Sequence, residues 1–152
     1  HLTKNAITDY LAQKKAAPFK AELKENDILI TSDTIVWYNG KALEKPKNGE
    51  EAFAMLTSLS GKVHEVITSV CFTTVQRQKT VHAVTKVHFK TLTEAEIGYY
   101  IEKYKPFDKA GAYGIQEWIG YIAIEKIEGS YFNVAGLPTH LVYRELNDLI
   151  NP

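Results

Sequence analysis

Asp27-Ile28-Leu29-Ile30-Thr31-Ser32-Asp33-Thr34-Ile35-Val36-Trp37-Tyr38 is the stretch whose reading decides the fold class. Two apolar triplets, Ile28-Leu29-Ile30 and Ile35-Val36-Trp37, flank the polar Thr31-Ser32-Asp33-Thr34. Short apolar runs rich in β-branched residues read as a mostly buried strand, here with a polar interruption. Asn39-Gly40 follows at once and is a strong turn signal, because both residue types tolerate positive φ. A carboxylate between two buried half-strands is costly unless it is paired or meets a cation. Asp33 therefore reads equally as a cap where the strand ends and as a working carboxylate. Thr34 beside it is hydrogen-bonding filler on the first reading.

Upstream of this strand, Thr8 to Phe19 reads as a helix. Leu11, Ala12, Lys15 and Ala16 fall on neighbouring faces, and Pro18 stops it. Downstream, Asn48 caps a helix through Leu59, with Glu50 and Glu51 in its first turn and Gly61 at its end. Val63 to Val75 and Thr80 to Leu92 are β-rich, joined by the polar loop Gln76-Arg77-Gln78-Lys79. Val81, Ala83, Thr85, Val87 and Phe89 share one face of the second. Thr93 to Glu96 forms a capping box opening a helix to about Tyr104. Pro106 to Gln116 is a glycine-containing loop and Tyr121 to Ile127 a short strand. Gly136-Leu137-Pro138 introduces a last helix to Ile150. The class is α/β, a mixed central sheet with flanking helices.

The 152 residues fit a single domain, residues 1–152, with enough chain to bury a core. A hydrophobic share of 45% and a charged share of 24% are ordinary for a globular protein. The formal net charge of zero argues against a bulk electrostatic partner, so neither nucleic acid nor a membrane surface is expected. No apolar stretch reaches membrane-spanning length and no signal pattern opens the chain. The one cysteine, Cys71, lies in the apolar run Val70-Cys71-Phe72 and reads as a small buried hydrophobe, which points to a cytoplasmic setting. The sequence opens on His1 rather than Met and is read as N-terminally incomplete.

Two further places carry candidate chemistry. Lys45-Pro46 follows the turn, and the rigid proline can present a phosphate-binding ammonium, although a lone lysine is more often solvated. Phe107-Asp108-Lys109-Ala110-Gly111-Ala112-Tyr113-Gly114-Ile115-Gln116 interleaves small, charged and aromatic residues. Gly111 and Gly114 permit close approach to a ligand. Lys109 offers charge to a phosphate, Asp108 a carboxylate, and Gln116 both a donor and an acceptor for a base edge. His64, His82, His88 and His140 have no metal-ligand spacing, and no phosphate-cradling loop motif is present.

In order, these stretches resemble the Maf family, the septum-formation-inhibitor-like nucleoside triphosphate pyrophosphatases. Leu11-Ala12-Gln13-Lys14-Lys15-Ala16 is similar to L-A-x-x-K-A. Ser32-Asp33-Thr34-Ile35-Val36 is similar to [AS]-D-T-x-V, and Leu43-Glu44-Lys45-Pro46 to L-x-K-P. Leu59 to Val66 is similar to L-S-G-x-x-H-x-V, and Asp108 to Gln116 to D-K-A-G-x-Y-x-I-Q. Gly129 to Pro138 is similar to G-[SD]-x-x-N-V-x-G-L-P. The resemblance implies a nucleotide-binding cleft and hydrolysis of a nucleoside triphosphate to its monophosphate and pyrophosphate, with Mg²⁺ or Mn²⁺. Asp33 would be the proton acceptor or a metal ligand, and Asp108 a second metal ligand or the group orienting Lys109. Lys15, Lys45 and Lys109 would neutralise the triphosphate, and Thr34 and Gln116 would line the base pocket. The Tyr-Gly-Ile-Gln form of the loop resembles the subgroup acting on dTTP and UTP. The rival readings are a 7-methyl-GTP specificity and a non-catalytic regulator linked to division. A homodimer is the assembly the resemblance allows. The family's opening S-x-R-R segment has no counterpart here. Its absence implies a sheet short of one strand, a cleft short of half its phosphate contacts and reduced turnover.

Overall fold

In the computed structural model, which describes residues 1–152, the quoted stretch forms one unbroken strand, β1, Leu29–Tyr38. The expected interruption and strand end at Asp33 are corrected: Asp33 lies mid-strand, opposite Ser69. Alternation explains why four polar residues do not break the strand. Thr31 and Asp33 turn towards one helix, where Thr31 donates to the Ala12 carbonyl at 2.6 Å. Thr34 turns to the other face, where its hydroxyl meets that of Thr68 at 2.8 Å.

Asn39 and Gly40, both at positive φ, turn the chain into the short strand β2, Lys41–Leu43. β2 pairs only with Val36–Tyr38. On its other side β1 pairs with β3, Val63–Thr73, from Leu29 to Trp37. β3 pairs along its length with β4, Gln78–Phe89, and β4 with β5, Ile124–Glu128. The order is β2-β1-β3-β4-β5, and every pair is antiparallel. The α/β class with flanking helices therefore holds, but the sheet is antiparallel throughout rather than mixed. Tight turns join β1 to β2 and β3 to β4, which leaves those two pairs no room for a parallel crossover. Within residues 1–152, β2 pairs only with the last three residues of β1, and no strand lies along the outer edge of β1 from Leu29 to Ile35.

Helix α1, Asn5–Ala16, covers one face of β1 and β3. Its Ala12 and Ala16 pack on Cys71, small side chains that let the helix sit close to the sheet. The opposite face carries the main core, in which Val36, Leu56, Val66, Val87, Phe89 and Tyr100 meet. Over it lie α2, Gly49–Leu59, and α3, Glu94–Tyr104. Both helix starts follow local chemistry. Asn48 accepts from Glu51 N at 2.9 Å, and Thr93 and Glu96 form the expected capping box. Thr85, Val87 and Phe89 are buried on the β4 face that alternation selects.

Other boundaries differ from expectation. The first helix ends at Ala16, and Pro18 opens a 3₁₀ turn, Ala17–Glu22, where its missing N–H costs nothing. Tyr121–Ala123 complete helix α4, Trp118–Ala123, so β5 begins only at Ile124. Gly120 allows this helix to press on the preceding loop, since a Cβ there would lie 1.9 Å from the Ile115 carbonyl oxygen. The hairpin turn falls at Thr74–Arg77. An additional helix, α5, Tyr131–Ala135, is capped by Ser130 and closed by Gly136 at φ 117°. The last helix, α6, spans Thr139–Ile150. No helix is long and apolar enough to cross a membrane.

His64, on β3, is 1% exposed and faces the main core. Burial, aided by the charge of nearby His88, lowers its pKa to about 4. The unfolded chain binds this proton near pH 6.5, so folding stability present above pH 6.5 falls as pH drops towards 4, by about 3 kcal/mol in all. The carboxylates held low, such as Glu145 by Lys79, lose their contribution only below their ordinary value of 4.5. Urea unfolding between pH 6.5 and 4.5 should therefore show declining stability, and His64→Leu should flatten that slope. An unchanged slope in the variant refutes the assignment.

Candidate active site

β1 and α1 supply the first wall. Asp33 projects towards α1, whose last turn brings Lys15 over it. The Lys15 ammonium lies 2.9 Å from Asp33 Oδ1 and donates to the Ser32 carbonyl at 2.8 Å. The Lys15 side chain is 54% exposed and that of Asp33 16%, so the pair sits at a solvent-reached wall and contributes at most about 1 kcal/mol to stability. Asp33 Oδ1 is thus engaged, while Oδ2 makes no hydrogen bond within the protein.

The second wall lies across the other face of the sheet. Thr34 meets Thr68 and also donates to the Gly136 carbonyl at 3.4 Å. Thr68 in turn donates to the Asn133 carbonyl at 3.3 Å. Asn133 is fully buried and donates to the Val66 carbonyl and to Thr85, which fixes α5 against the sheet. Gln116 donates from Nε2 to the Ala135 carbonyl at 3.3 Å, linking the loop to the end of α5.

The loop from Asp108 to Gln116 closes the cleft. Gly111, at φ 68°, presses on Val36 so closely that a Cβ would lie 2.8 Å from Val36 Cγ2. Its N–H donates to the Glu44 carbonyl at 3.3 Å, which ties the loop to the segment carrying Lys45. The Lys109 ammonium lies 3.2 Å from Asp108 Oδ1 and 4.0 Å from Glu117 Oε1. The hydrogen bond from Lys109, with the charges of Lys109 and then Lys45, holds the Asp108 carboxyl below its usual range. Beneath the loop, the buried Tyr100 hydroxyl accepts from Gly114 N at 3.1 Å and donates to Glu117 at 2.6 Å. Burial, then the Glu117 hydrogen bond, raises the pKa of this phenol, so it remains the donor.

One cleft of about 330 Å³ receives the seven side chains singled out from the sequence and Gly114, whereas Gly111 packs on Val36 instead of facing a ligand. Lys15, Asp33 and Thr34 come from α1 and β1, Lys45 from the segment after β2, and Asp108, Lys109 and Gln116 from the loop. Three ammonium groups therefore face two carboxylates, an arrangement suited to a polyanion. Asp33 and Thr34 are brought to it from opposite faces of β1. Apolar Val36, Val66 and Val134 provide a surface for a flat ring. No group of three or more His, Cys, Asp or Glu side chains converges. The two carboxylates instead suit an ion such as Mg²⁺, which takes one or two carboxylates and completes its shell with water and substrate phosphate. Tyr100, Glu117 and the His64–Tyr113 contact escaped the sequence reading. Their partners lie 14 to 49 positions away, and although His64 and Tyr113 each occupy a motif position, no local pattern marks the pairing.

A family model described as Maf-like protein matches residues 1–149. A protein of Christiangramia forsetii named dTTP/UTP pyrophosphatase is 61% identical over 151 residues, spanning 99% of this chain and 77% of that protein. One of Flavobacterium johnsoniae with the same name is 61% identical over 144 residues, 95% of this chain and 74% of the relative. One of Bacteroides fragilis, also so named, is 54% identical over 140 residues, 92% and 72%.

Gly111→Ala should be destabilising twice over, through its left-handed φ and its contact with Val36. A loss of about 1–3 kcal/mol in urea unfolding is expected. A variant as stable as the parent would show that the loop does not press on β1.

Proposed function

The chain belongs to the Maf-like family, and on that premise we propose that its cleft hydrolyses dTTP and UTP to the nucleoside monophosphate and pyrophosphate. The observation that carries this reading is the meeting of three lysines, an accessible carboxylate and an amide in one cleft. A water molecule attacks the α-phosphorus, the α–β anhydride bond breaks, and pyrophosphate leaves. Asp33 is the acceptor for the water proton, through the Oδ2 left unbonded when Lys15 holds Oδ1. Lys15 also orients that carboxylate. Lys45 and Lys109 face the triphosphate and offset the charge that develops on the leaving pyrophosphate.

Asp33 and Asp108 are the residues that would hold Mg²⁺ or Mn²⁺ alongside the substrate phosphates. When bound, the ion screens the triphosphate's charge from the incoming nucleophile. Thr34 and Gln116 line the base pocket. With Nε2 tied to Ala135, the Gln116 Oε1 is an acceptor for the N3–H shared by thymine and uracil. That N–H, between two carbonyls, is the feature these two bases have in common.

Pyrophosphate release from dTTP, UTP and 7-methyl-GTP in the presence of Mg²⁺ tests the reading. The two pyrimidine nucleotides should be preferred, and Asp33→Asn should lower kcat by about 10²–10⁴-fold. Equal turnover by Asp33→Asn would remove the carboxylate from the reaction, and preference for 7-methyl-GTP would remove Gln116 from base selection.

A further inference from the structure

The loop that closes the cleft is bent at two successive residues of positive φ, Gly111 at 68° and Ala112 at 64°. A non-glycine residue in that region is strained and persists only where its surroundings hold it. Between them, the ends of this loop carry Lys109 and Gln116, the groups that meet the two ends of a nucleotide. What fixes the middle of the loop therefore fixes their spacing.

Tyr100 holds the loop backbone at Gly114, and Tyr113 is the loop's own side chain that ties it to the sheet. It lines the cleft, yet it is only 6% exposed. Its ring packs edge-on against His64 and Phe89, and those two pack edge-on against each other, with centroids 5.0–5.4 Å apart. Tyr113 Oη and His64 Nε2 lie 2.6 Å apart, the one side-chain hydrogen bond between Tyr113 and the sheet. Packing alone would leave the phenol free to slide in its own plane. The hydrogen bond removes that freedom.

His64 is an expensive way to fill a core position. It is 1% exposed, and its Nδ1 has no partner. A buried polar atom left without a partner is destabilising, and an aliphatic side chain of similar volume would avoid that cost. The neighbours on its face of the sheet, Val66 and Val87, are apolar. Overall stability thus does not account for an imidazole here, whereas direction does.

We propose that His64 is a positioning residue of the cleft: through Tyr113 it holds the bent loop so that the Lys109 ammonium and the Gln116 amide stand at the separation a pyrimidine nucleoside triphosphate requires. This rests on the pyrophosphatase reading. His64 touches no substrate, and at neutral pH its ring is uncharged. Its contribution is geometric, and loosening it weakens substrate capture before it slows the chemical step.

The test uses His64→Leu, His64→Gln, Tyr113→Phe and the His64→Leu/Tyr113→Phe double variant. Three quantities are read for each: amide hydrogen exchange, kcat and KM for dTTP, and urea stability at pH 7.5. His64→Leu and Tyr113→Phe should each raise KM about tenfold while kcat stays within about threefold. The double variant should be no worse than either single one. His64→Gln, which keeps a hydrogen-bonding group, should recover part of the loss. Amides of residues 110–116 should exchange faster, with β3 and β4 unchanged. Native KM and native loop exchange in Tyr113→Phe overturn the proposal. So do kinetic losses that simply follow the loss of global stability. Exchange and turnover are read separately: full-length protein that leaves dTTP intact sinks the pyrophosphatase reading, while exchange at 110–116 still decides whether His64 and Tyr113 hold the loop.

Discussion

In a β-strand, neighbouring side chains point to opposite faces of the sheet. Asp33 and Thr34 are neighbours, so the sheet itself separates them: Asp33 faces Lys15 on α1, and Thr34 faces Thr68 and α5. Both nevertheless line one cleft, Asp33 from the α1 side and Thr34 from the α5 side. Everything about the cleft follows from that constraint. β1 carries the first wall, and the Lys45 segment after β2 and the loop after α3 complete the lining. Charge gathers chiefly on the α1 side and around Lys45, and neutral hydrogen-bonding groups gather on the α5 side.

The two sides are held by different means. The charged side relies on short ion pairs with solvent access, Lys15 with Asp33 and Lys109 with Asp108. Such pairs exchange partners at little cost, which suits groups that must release one anion to take another. The neutral side relies on buried hydrogen bonds through Thr68, Asn133 and Thr85, with Tyr100 anchoring the loop backbone at Gly114. Buried networks of this kind are rigid because breaking one member strands the others without partners. Under the proposed function the stiff side would take the base and the adaptable side the phosphates, a sensible division for an enzyme that selects by base and reacts at phosphorus.

What could be seen in the sequence was whatever chemistry is local. Asn48 and the Thr93–Glu96 box mark their helices because a cap is made within four residues. Lys15, Asp33, Lys45, Lys109 and Gln116 stood out because each sits in a short motif. The polar run in β1 misled because alternation disperses Thr31-Ser32-Asp33-Thr34 over two covered faces, and a run of four looks like a break. Tyr121–Ile127 misled for the opposite reason. Its apolar spacing fits a strand, but the close seat of Gly120 on Ile115 decides for a helix first, and that contact is tertiary. His64 with Tyr113 and Tyr100 with Glu117 were invisible because folding alone brings them together.

The free edge of β1 has a second face to its character. From Leu29 to Ile35 it presents backbone amides and carbonyls that no neighbouring strand satisfies, apart from the Ser32 carbonyl that Lys15 covers. Unpaired strand edges are templates on which any extended chain, including another copy of the same one, can zip up. Within residues 1–152 that border lies beside the cleft, so extended backbone laid along it would be held by main-chain hydrogen bonds as well as by the side chains that line the cleft.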